Sequence, residues 1–210
     1  MLTDLPEKLT SDMLVFQAKG RDRTVYDIAG HPDLLAKIPL SDDARMAKML
    51  AQEARFLALR PDPDLPLARD LGARETELGP AQISQRISAP DGEIAPSLEA
   101  LVVSGAFSDI HLNALNTFVA TAITGHIAFS DFRFSNLAYG LRAGDDAPRV
   151  YAVDGFGDKS LIKLKLHARW ANPLHITRKM ARVPRGAPLY WDRSARSYRW
   201  RDKGAAVAEA

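Results

Sequence analysis

The segment 129–157 constrains this chain more than any other, because it carries three polar side chains suited to one chemistry. Asp131 and Asn136 are separated by four residues, and Asp154 follows the apolar run 150–153. Carboxylate and amide oxygens bind hard cations such as Mg²⁺, and a further carboxylate can take a proton from an attacking hydroxyl. An acid and an amide in one loop, with a second acid at the end of a strand, therefore predict Mg²⁺-dependent phosphoryl transfer.

Composition favours a small cytosolic enzyme. The 210 residues, of which 46% are hydrophobic, can bury a core as one domain or as two small lobes. Because there is no Cys, disulfides and thiolate metal sites are excluded. The first residues include acids rather than an apolar targeting core, and no apolar run approaches the roughly 18 residues that a membrane-spanning helix requires. We therefore expect a cytoplasmic protein without a membrane span.

Basic residues concentrate near the C-terminus. Residues 163–203 contain 12 Lys or Arg and two Asp, whereas the rest of the chain contains 16 basic and 24 acidic residues. Such a segment is suited to an acidic partner. The alternatives are that it docks against the acidic remainder of its own chain or forms an ordinary solvated surface.

Apolar runs and turn residues predict an α+β fold that begins with a small antiparallel sheet. Short apolar runs bounded by Gly, Pro and Asp indicate strands, and polar N-cap residues before an apolar stripe indicate a helix. We predict strands at 13–18, 25–28, 34–38, 67–73 and 81–87, a helix capped by 41–43 that ends near 59, and a second helix from about 108 to 125.

Two charged residues occur in apolar surroundings within these elements. Lys37 lies in the strand 34–38, and Glu53 shares a helix face with Leu50 and Leu57. A buried charge is costly unless it is paired, so we predict a close ion pair between Lys37 and Glu53. In this interpretation Lys37 holds nucleotide phosphates and Glu53 positions it.

The order and spacing of these residues resemble the protein-kinase-like superfamily, and more narrowly the YrbL (PhoP regulatory network) family of small bacterial kinase-fold proteins. The resemblance extends over about residues 13–180 and implies a role for each matching position. Lys37 corresponds to the strand lysine that contacts nucleotide phosphates, and Glu53 corresponds to its helix partner. Asp131 corresponds to the catalytic-loop acid, and Arg133 stands where that loop usually has Lys.

The same resemblance implies that Asn136 and Asp154 bind Mg²⁺ and that ATP is the phosphate donor. It also implies a protein-kinase-like fold with two lobes. The implied units are a β-rich N-lobe at 1–87, a hinge at 88–92, a reduced helical C-lobe at 88–180 and a basic C-terminal segment at 181–210.

The chain departs from the kinase pattern in several places, among them the turn Asp154-Gly155-Phe156-Gly157, whose Phe is one place late. The nucleotide-covering loop has the single glycine Gly20, so we expect Arg21 and Arg23 to supply charge that backbone amides would otherwise provide. Phe129 and Ser130 replace the usual His-Arg pair before the catalytic acid, which argues against regulation through a phosphorylated activation loop. Only 56 residues follow the Asp of the second loop, too few for a large peptide-binding subdomain.

Three functions follow as hypotheses. The first is an ATP/Mg²⁺-dependent phosphotransferase with an unknown acceptor, and the second is a pseudokinase that acts as a regulatory interaction module. The third is nucleic-acid binding through the basic C-terminal segment, where bases would stack on aromatic rings between cationic side chains. The residues that suggest it are Arg193, Arg196, Arg199 and Arg201, interleaved with Tyr190, Trp191, Tyr198 and Trp200.

Overall fold

The protein has a mixed α+β fold, seen in a computed structural model that describes residues 4–20, 22–41, 44–58, 62, 64–156, 178–180, 183 and 187–201. In chain order, its first strands and helix are β1 (Lys8–Leu9), β2 (Leu14–Lys19), β3 (Arg23–Ile28), β4 (His31–Pro39), α1 (Ala44–Ala58), β5 (Asp70–Thr76) and β6 (Ala81–Gln85). The elements that follow are β7 (Ile87–Ser88), α2 (Leu98–Val103), α3 (Asp109–Thr124), β8 (Leu137–Arg142), β9 (Arg149–Ala152), β10 (Leu189–Asp192) and β11 (Ser197–Trp200).

The N-terminal half forms a six-stranded sheet in the order β1-β5-β6-β4-β3-β2. All neighbours pair antiparallel except β1, which pairs parallel with β5. Gly30 connects β3 to β4 at φ +78°, a left-handed conformation that glycine adopts without steric cost. Alternation along these strands directs Leu14, Ile28, Leu34 and Ile83 into one apolar core. The predicted antiparallel sheet is confirmed.

The second half packs α2, α3 and a three-stranded sheet, β7-β8-β9, around a larger core. Leu115, Phe118 and Val119 of α3 are buried in it at helical spacing. Phe56 of α1 also belongs to this core, and its ring lies 6.0 Å from that of Phe156. The first helix therefore packs against the second half, where Phe56 contacts Phe156 in the segment that follows β9.

The hairpin β10–β11 packs against α3. The side chain of Asn116 donates to the carbonyl of Tyr198 at 3.0 Å and accepts from its backbone N–H at 2.7 Å. Trp200 donates its indole N–H to Asp109 at 2.6 Å, and Trp191 is buried beneath the hairpin. Burial of Trp191 and Tyr198 removes two of the rings that the nucleic-acid hypothesis requires for stacking, and the described part of the basic segment docks on its own chain.

The predicted element positions agree with the structure. Each predicted strand overlaps an observed one, and the predicted helices correspond to α1 and α3. The run predicted as one strand at 81–87 divides into β6 and β7, because β6 continues the large sheet while β7 pairs with β8. Within the described ranges, no helix is long and apolar enough to cross a membrane.

Candidate functional site

A cavity of about 660 Å³ lies where the six-stranded sheet faces the loops that precede β8 and follow β9. Every predicted site residue in the described part of the chain lines it, whereas Arg21 lies outside the described residues. The predicted residues that line the cavity are Gly20, Arg23, Lys37, Glu53, Asp131, Arg133, Asn136 and Asp154.

Backbone hydrogen bonds join the two loops that carry the polar residues. The carbonyl of Gly155 accepts from the N–H groups of Ser130 and Asp131 at 2.8 and 2.9 Å, and from the Ser130 hydroxyl at 3.1 Å. Asn136 donates its side-chain N–H to the carbonyl of Asp131 at 2.9 Å, and its own carbonyl accepts from Val153 at 3.0 Å. Because the amide N–H of Asn136 is used within the loop, its Oδ1 is the atom suited to bind a cation.

Glycine is required at position 155 for two independent reasons. Its φ of +74° lies in the left-handed region. A Cβ at this position would lie 2.3 Å from the carbonyl oxygen of Asp131 and 2.6 Å from Nδ2 of Asn136. The close approach of the two loops therefore depends on the absence of a side chain.

The predicted ion pair between Lys37 and Glu53 is wrong. The carboxylate of Glu53 instead forms a salt bridge with Arg23 at 2.7 Å, and both side chains are only 7% exposed. Arg23 also donates to Oε1 of Gln82 at 2.8 Å. Lys37 donates to the carbonyl of Val153 at 2.9 Å, next to Asp154, which follows β9. Arg23 rather than Lys37 pairs with Glu53 because its forked guanidinium can donate to Glu53 and Gln82 together. The ammonium of Lys37 donates to the loop backbone instead.

Burial and mutual attraction set the charge states in this cluster. Burial opposes ionisation of Asp154, but Arg23 and Lys37 outweigh it and hold the pKa of Asp154 below its ordinary value. Burial lowers the pKa of Lys37, and attraction to Asp154 only partly offsets this. Burial raises the pKa of Glu53, which Arg23 opposes and Asp154 reinforces. Of the two buried carboxylates, Asp154 is thus the one whose pKa this cluster lowers.

A backbone hydrogen bond joins β3 to the residue that follows β2, beside the cavity. The N–H of Gly20 donates to the carbonyl of Arg23 at 2.8 Å. That N–H group is consequently engaged within the hairpin. The charge of Arg23 is likewise engaged by Glu53 and Gln82, so a direct contact between Arg23 and a phosphate stays a prediction.

Part of the cavity lining is apolar, a feature that the sequence did not reveal. This part comes from β3, β4, β7, β8 and the segment before α2, and none of these positions carries a distinctive motif. Apolar side chains with a few polar groups are the usual lining of a small-molecule pocket, and here only the fold brings them together. The aliphatic residues that form it are Val25, Leu35, Ile87, Ile94, Ala95 and Ala138.

Asp131 and Arg133 lie at the more open side. Arg133 Nε lies 2.9 Å from Asp131 Oδ1, with the two side chains 60% and 37% exposed. Exposed ion pairs contribute about 0–1 kcal/mol. The pair can therefore separate at little cost when another group enters the cavity.

Arg86 supports the segment 88–92, which was predicted as a hinge. Its guanidinium donates to Asp27 at 2.9 Å, to the Ser88 hydroxyl at 2.6 Å and to the carbonyl of Gly92 at 2.8 Å. The side chain of Arg86 is only 8% exposed. The signal in the sequence was an arginine in the apolar run 81–87, where a buried cation needs partners.

The donor set fits Mg²⁺ only in combination with other ligands. Asp154 is ionised and Asn136 has a side-chain oxygen, which are the oxygen ligands that Mg²⁺ prefers. Across the described residues, no group of three or more His, Cys, Asp or Glu could hold a metal ion. Mg²⁺ characteristically keeps several waters and is bound by one or two protein ligands together with substrate phosphates. The two residues meet that requirement.

Comparison with known proteins identifies the family. The family described as PhoP regulatory network protein YrbL matches residues 8–187, most of the chain, and the chain belongs to it. No curated protein matches the sequence. The matched range includes the whole cavity lining and ends before β10.

Proposed function

We propose that this YrbL-family protein has a protein-kinase-like, two-lobed fold and transfers the terminal phosphate of ATP, with Mg²⁺, to an unidentified acceptor. One observation carries the proposal. Four polar residues from three segments of the chain, Lys37, Asp131 with Asn136, and Asp154, line the same cavity, which also has apolar lining residues. Cavities of roughly 300–1,000 Å³ accommodate small molecules of nucleotide size, and this one falls within that range.

The apolar and the charged parts of the cavity lining suit the two parts of a nucleotide. In the proposal the base lies among the aliphatic side chains, and the phosphates lie near the cations Lys37 and Arg23. Lys37 is held beside Asp154 by its hydrogen bond to the carbonyl of Val153. From there its remaining donors can contact phosphate oxygens. In the proposal the two strand cations thus anchor the phosphate chain beside Asp154.

Asn136 and Asp154 would hold Mg²⁺. When bound, the ion neutralises charge on the phosphates and on the transferred group. The contribution of the protein is to keep the Asp154 carboxylate ionised through Arg23 and Lys37. It also holds Asn136 in place, because the Asn136 side chain donates to the carbonyl of Asp131 and its backbone carbonyl accepts from the N–H of Val153.

Asp131 is the proposed proton acceptor. The acceptor hydroxyl gives its proton to the Asp131 carboxylate while its oxygen forms a bond to the terminal phosphorus of ATP. The bond from that phosphorus to the bridging oxygen breaks, and ADP leaves. Arg133, which is paired with Asp131 and largely exposed, can turn from the carboxylate to the transferred group and stabilise its charge.

Two observations favour the second hypothesis, a pseudokinase that acts as a regulatory interaction module. Only three residues separate β2 from β3, and the N–H of Gly20 is already bonded to the carbonyl of Arg23. Glu53 is engaged by Arg23 rather than by Lys37. A site with little cover admits water to the phosphates and slows phosphate transfer. Nucleotide binding without turnover would therefore support the pseudokinase.

Thermal unfolding with ATP, Mg²⁺ or both tests nucleotide binding. A ligand at about 100 times its dissociation constant stabilises the folded state by about 2.7 kcal/mol. We expect the midpoint to rise with ATP and Mg²⁺ together, and the rise to vanish in Asp154→Ala. Asp146→Ala removes an exposed acid outside the cavity lining and serves as the control. If the wild-type midpoint does not move at high ATP and Mg²⁺, nucleotide binding is refuted.

Turnover then separates enzyme from pseudokinase. Positioned acid or base groups typically contribute about 10²–10⁴ in rate. We expect slow release of ADP that depends on Mg²⁺, and a decrease of at least about tenfold in Asp131→Asn at unchanged nucleotide affinity. Equal rates in the variant and wild type, despite a clear thermal shift with ATP, would favour the pseudokinase.

A further inference from the structure

The C-terminal hairpin contacts the loop that carries Asp131 and Asn136. Between these residues the loop makes a single 3₁₀ turn, Phe134–Asn136, whose first side chain is 1% exposed. The ring of Tyr198 in β11 meets that of Phe134 edge-on, with centroids 5.7 Å apart. Trp191 of β10 packs on Tyr198 in turn, at 5.0 Å.

Tyr198 also has polar contacts that fix it in place. Its hydroxyl donates to the carbonyl of Met180 at 2.8 Å, while its backbone N–H and carbonyl are both bonded to Asn116. The residue before Met180, Lys179, donates its ammonium to the carbonyl of Ser130. Two contact routes therefore lead from Tyr198 to the loop, one through the Phe134 ring and one through residues 179–180.

The geometry points to Tyr198 as a positioning residue for the candidate site. A 3₁₀ turn has few hydrogen bonds of its own, and here Phe134 is its buried anchor. Tyr198 supplies one wall of the pocket that holds this anchor, and so fixes the spacing between Asp131 and Asn136. The hairpin lies beyond the residues matched by the family, so this chain has a support for its loop from a segment that the family assignment does not include.

Amide hydrogen exchange of the loop gives the primary test, because it requires neither nucleotide nor turnover. The informative probes are the N–H groups of Asp131, Asn136 and Val153, each bonded to a backbone carbonyl of the two joined loops. In Tyr198→Leu we expect these groups to exchange at least about tenfold faster through local opening. Tyr198→Phe keeps the ring contact with Phe134 and should restore most of the protection.

Trp191→Leu is the matched control. Trp191 is also a buried aromatic residue of the hairpin, but it contacts Tyr198 and lies one ring farther from the loop. Trp191→Leu should lower the unfolding midpoint about as much as Tyr198→Leu does. It should leave the exchange rates of the loop amides near those of the wild type. Equal exchange of these amides in the two Leu variants would overturn the positioning role, because the hairpin would then act only on global stability.

A second readout rests on the proposed function. The Mg²⁺ concentration that gives half of the ATP-dependent thermal shift should rise severalfold in Tyr198→Leu and remain unchanged in Trp191→Leu, because displacement of Asn136 weakens one metal ligand. If wild type shows no shift with ATP, the proposed function fails while the exchange comparison still decides the positioning role.

A third variant covers the case in which Tyr198→Leu does not fold. Asn116→Ala removes the two hydrogen bonds between α3 and β11 without altering a ring. We expect faster exchange at Asp131 and Asn136 than in wild type, in the same direction as Tyr198→Leu. Unchanged exchange at these positions, with the hairpin amides themselves exposed, would refute the coupling.

Discussion

The buried salt bridge between Arg23 and Glu53 predicts a large loss of stability when Arg23 is removed. It also predicts that Glu53 is coupled more strongly to Arg23 than to Lys37. The two groups lie 2.7 Å apart and are almost fully shielded from solvent. Removing one partner of a buried pair typically costs about 3–5 kcal/mol, because the other charge stays buried without compensation. We expect Arg23→Met to fall in this range, since it removes the cation that faces both Glu53 and Asp154.

The coupling energy can be worked from the geometry. Unit charges about 4 Å apart attract by about 4 kcal/mol at an effective dielectric constant of 20. A double-mutant cycle of Arg23→Met and Glu53→Leu should therefore recover a coupling energy of about 2–4 kcal/mol. The cycle of Lys37→Met and Glu53→Leu should give less, because Lys37 is bonded to the carbonyl of Val153 and not to Glu53.

Urea unfolding of the five variants and the wild type at neutral pH measures both cycles. The double variant Arg23→Met/Glu53→Leu should be more stable than Arg23→Met alone, because it removes the unpaired carboxylate. A coupling energy for Lys37 and Glu53 that equals or exceeds that of Arg23 and Glu53 would refute the assignment. It would restore the pair that the sequence suggested.

Three further changes test other parts of the site and fold. Gly155→Ala should destabilise the protein by about 2–4 kcal/mol in urea unfolding, since it combines a left-handed φ with a Cβ 2.3 Å from the carbonyl oxygen of Asp131; a cost below about 0.5 kcal/mol would show that the loops separate freely. Burial lowers the pKa of His111, whose Nδ1 accepts from the N–H of Ser108. The stability of the protein should therefore fall as the pH drops below about 6.5, because there the unfolded chain binds a proton at His111 more readily than the folded chain does. In His111→Gln, which keeps an acceptor for this capping box, that part of the pH slope should disappear. Burial raises the pKa of Tyr151 to about 12, so stability should decline between about pH 10 and pH 12, where only the unfolded chain loses the proton, and Tyr151→Phe should decline less; an identical slope would contradict the shift.

The sequence predicted the location of the site better than its internal pairing. Asp131, Asn136 and Asp154 were found through their spacing in loops beside strands. Such a prediction is reliable because residues that are near in sequence stay near one another in the folded chain. The choice between Arg23 and Lys37 depends on register: Val25 opposes Lys37 and Arg23 opposes Pro39, so both cations lie on one face of the sheet as diagonal neighbours. Register across strands that contain bulges cannot be obtained from a single sequence.

The C-terminal hairpin shows a second limit of sequence reasoning. Alternating aromatic and cationic residues suggested a stacking surface for nucleic acid, but the same alternation is the period of a strand with two faces. Trp191 and Tyr198 face the core, whereas Tyr190 and Arg199 are opposite each other on the outer face. The pattern indicated the two faces correctly. It could not show that α3 covers one of them.

The carbonyl of Gly155 explains why the candidate residues should act as one unit. It binds two consecutive N–H groups of the loop before β8, and the acid next to it in sequence, Asp154, is the carboxylate whose pKa Arg23 and Lys37 lower. A shift of either loop therefore changes the spacing of Asp131, Asn136 and Asp154 together. In the proposed reaction the proton acceptor and the metal ligands must keep that spacing while a substrate enters, and the exposed pair of Asp131 with Arg133 is the contact in the site that can open without disturbing it.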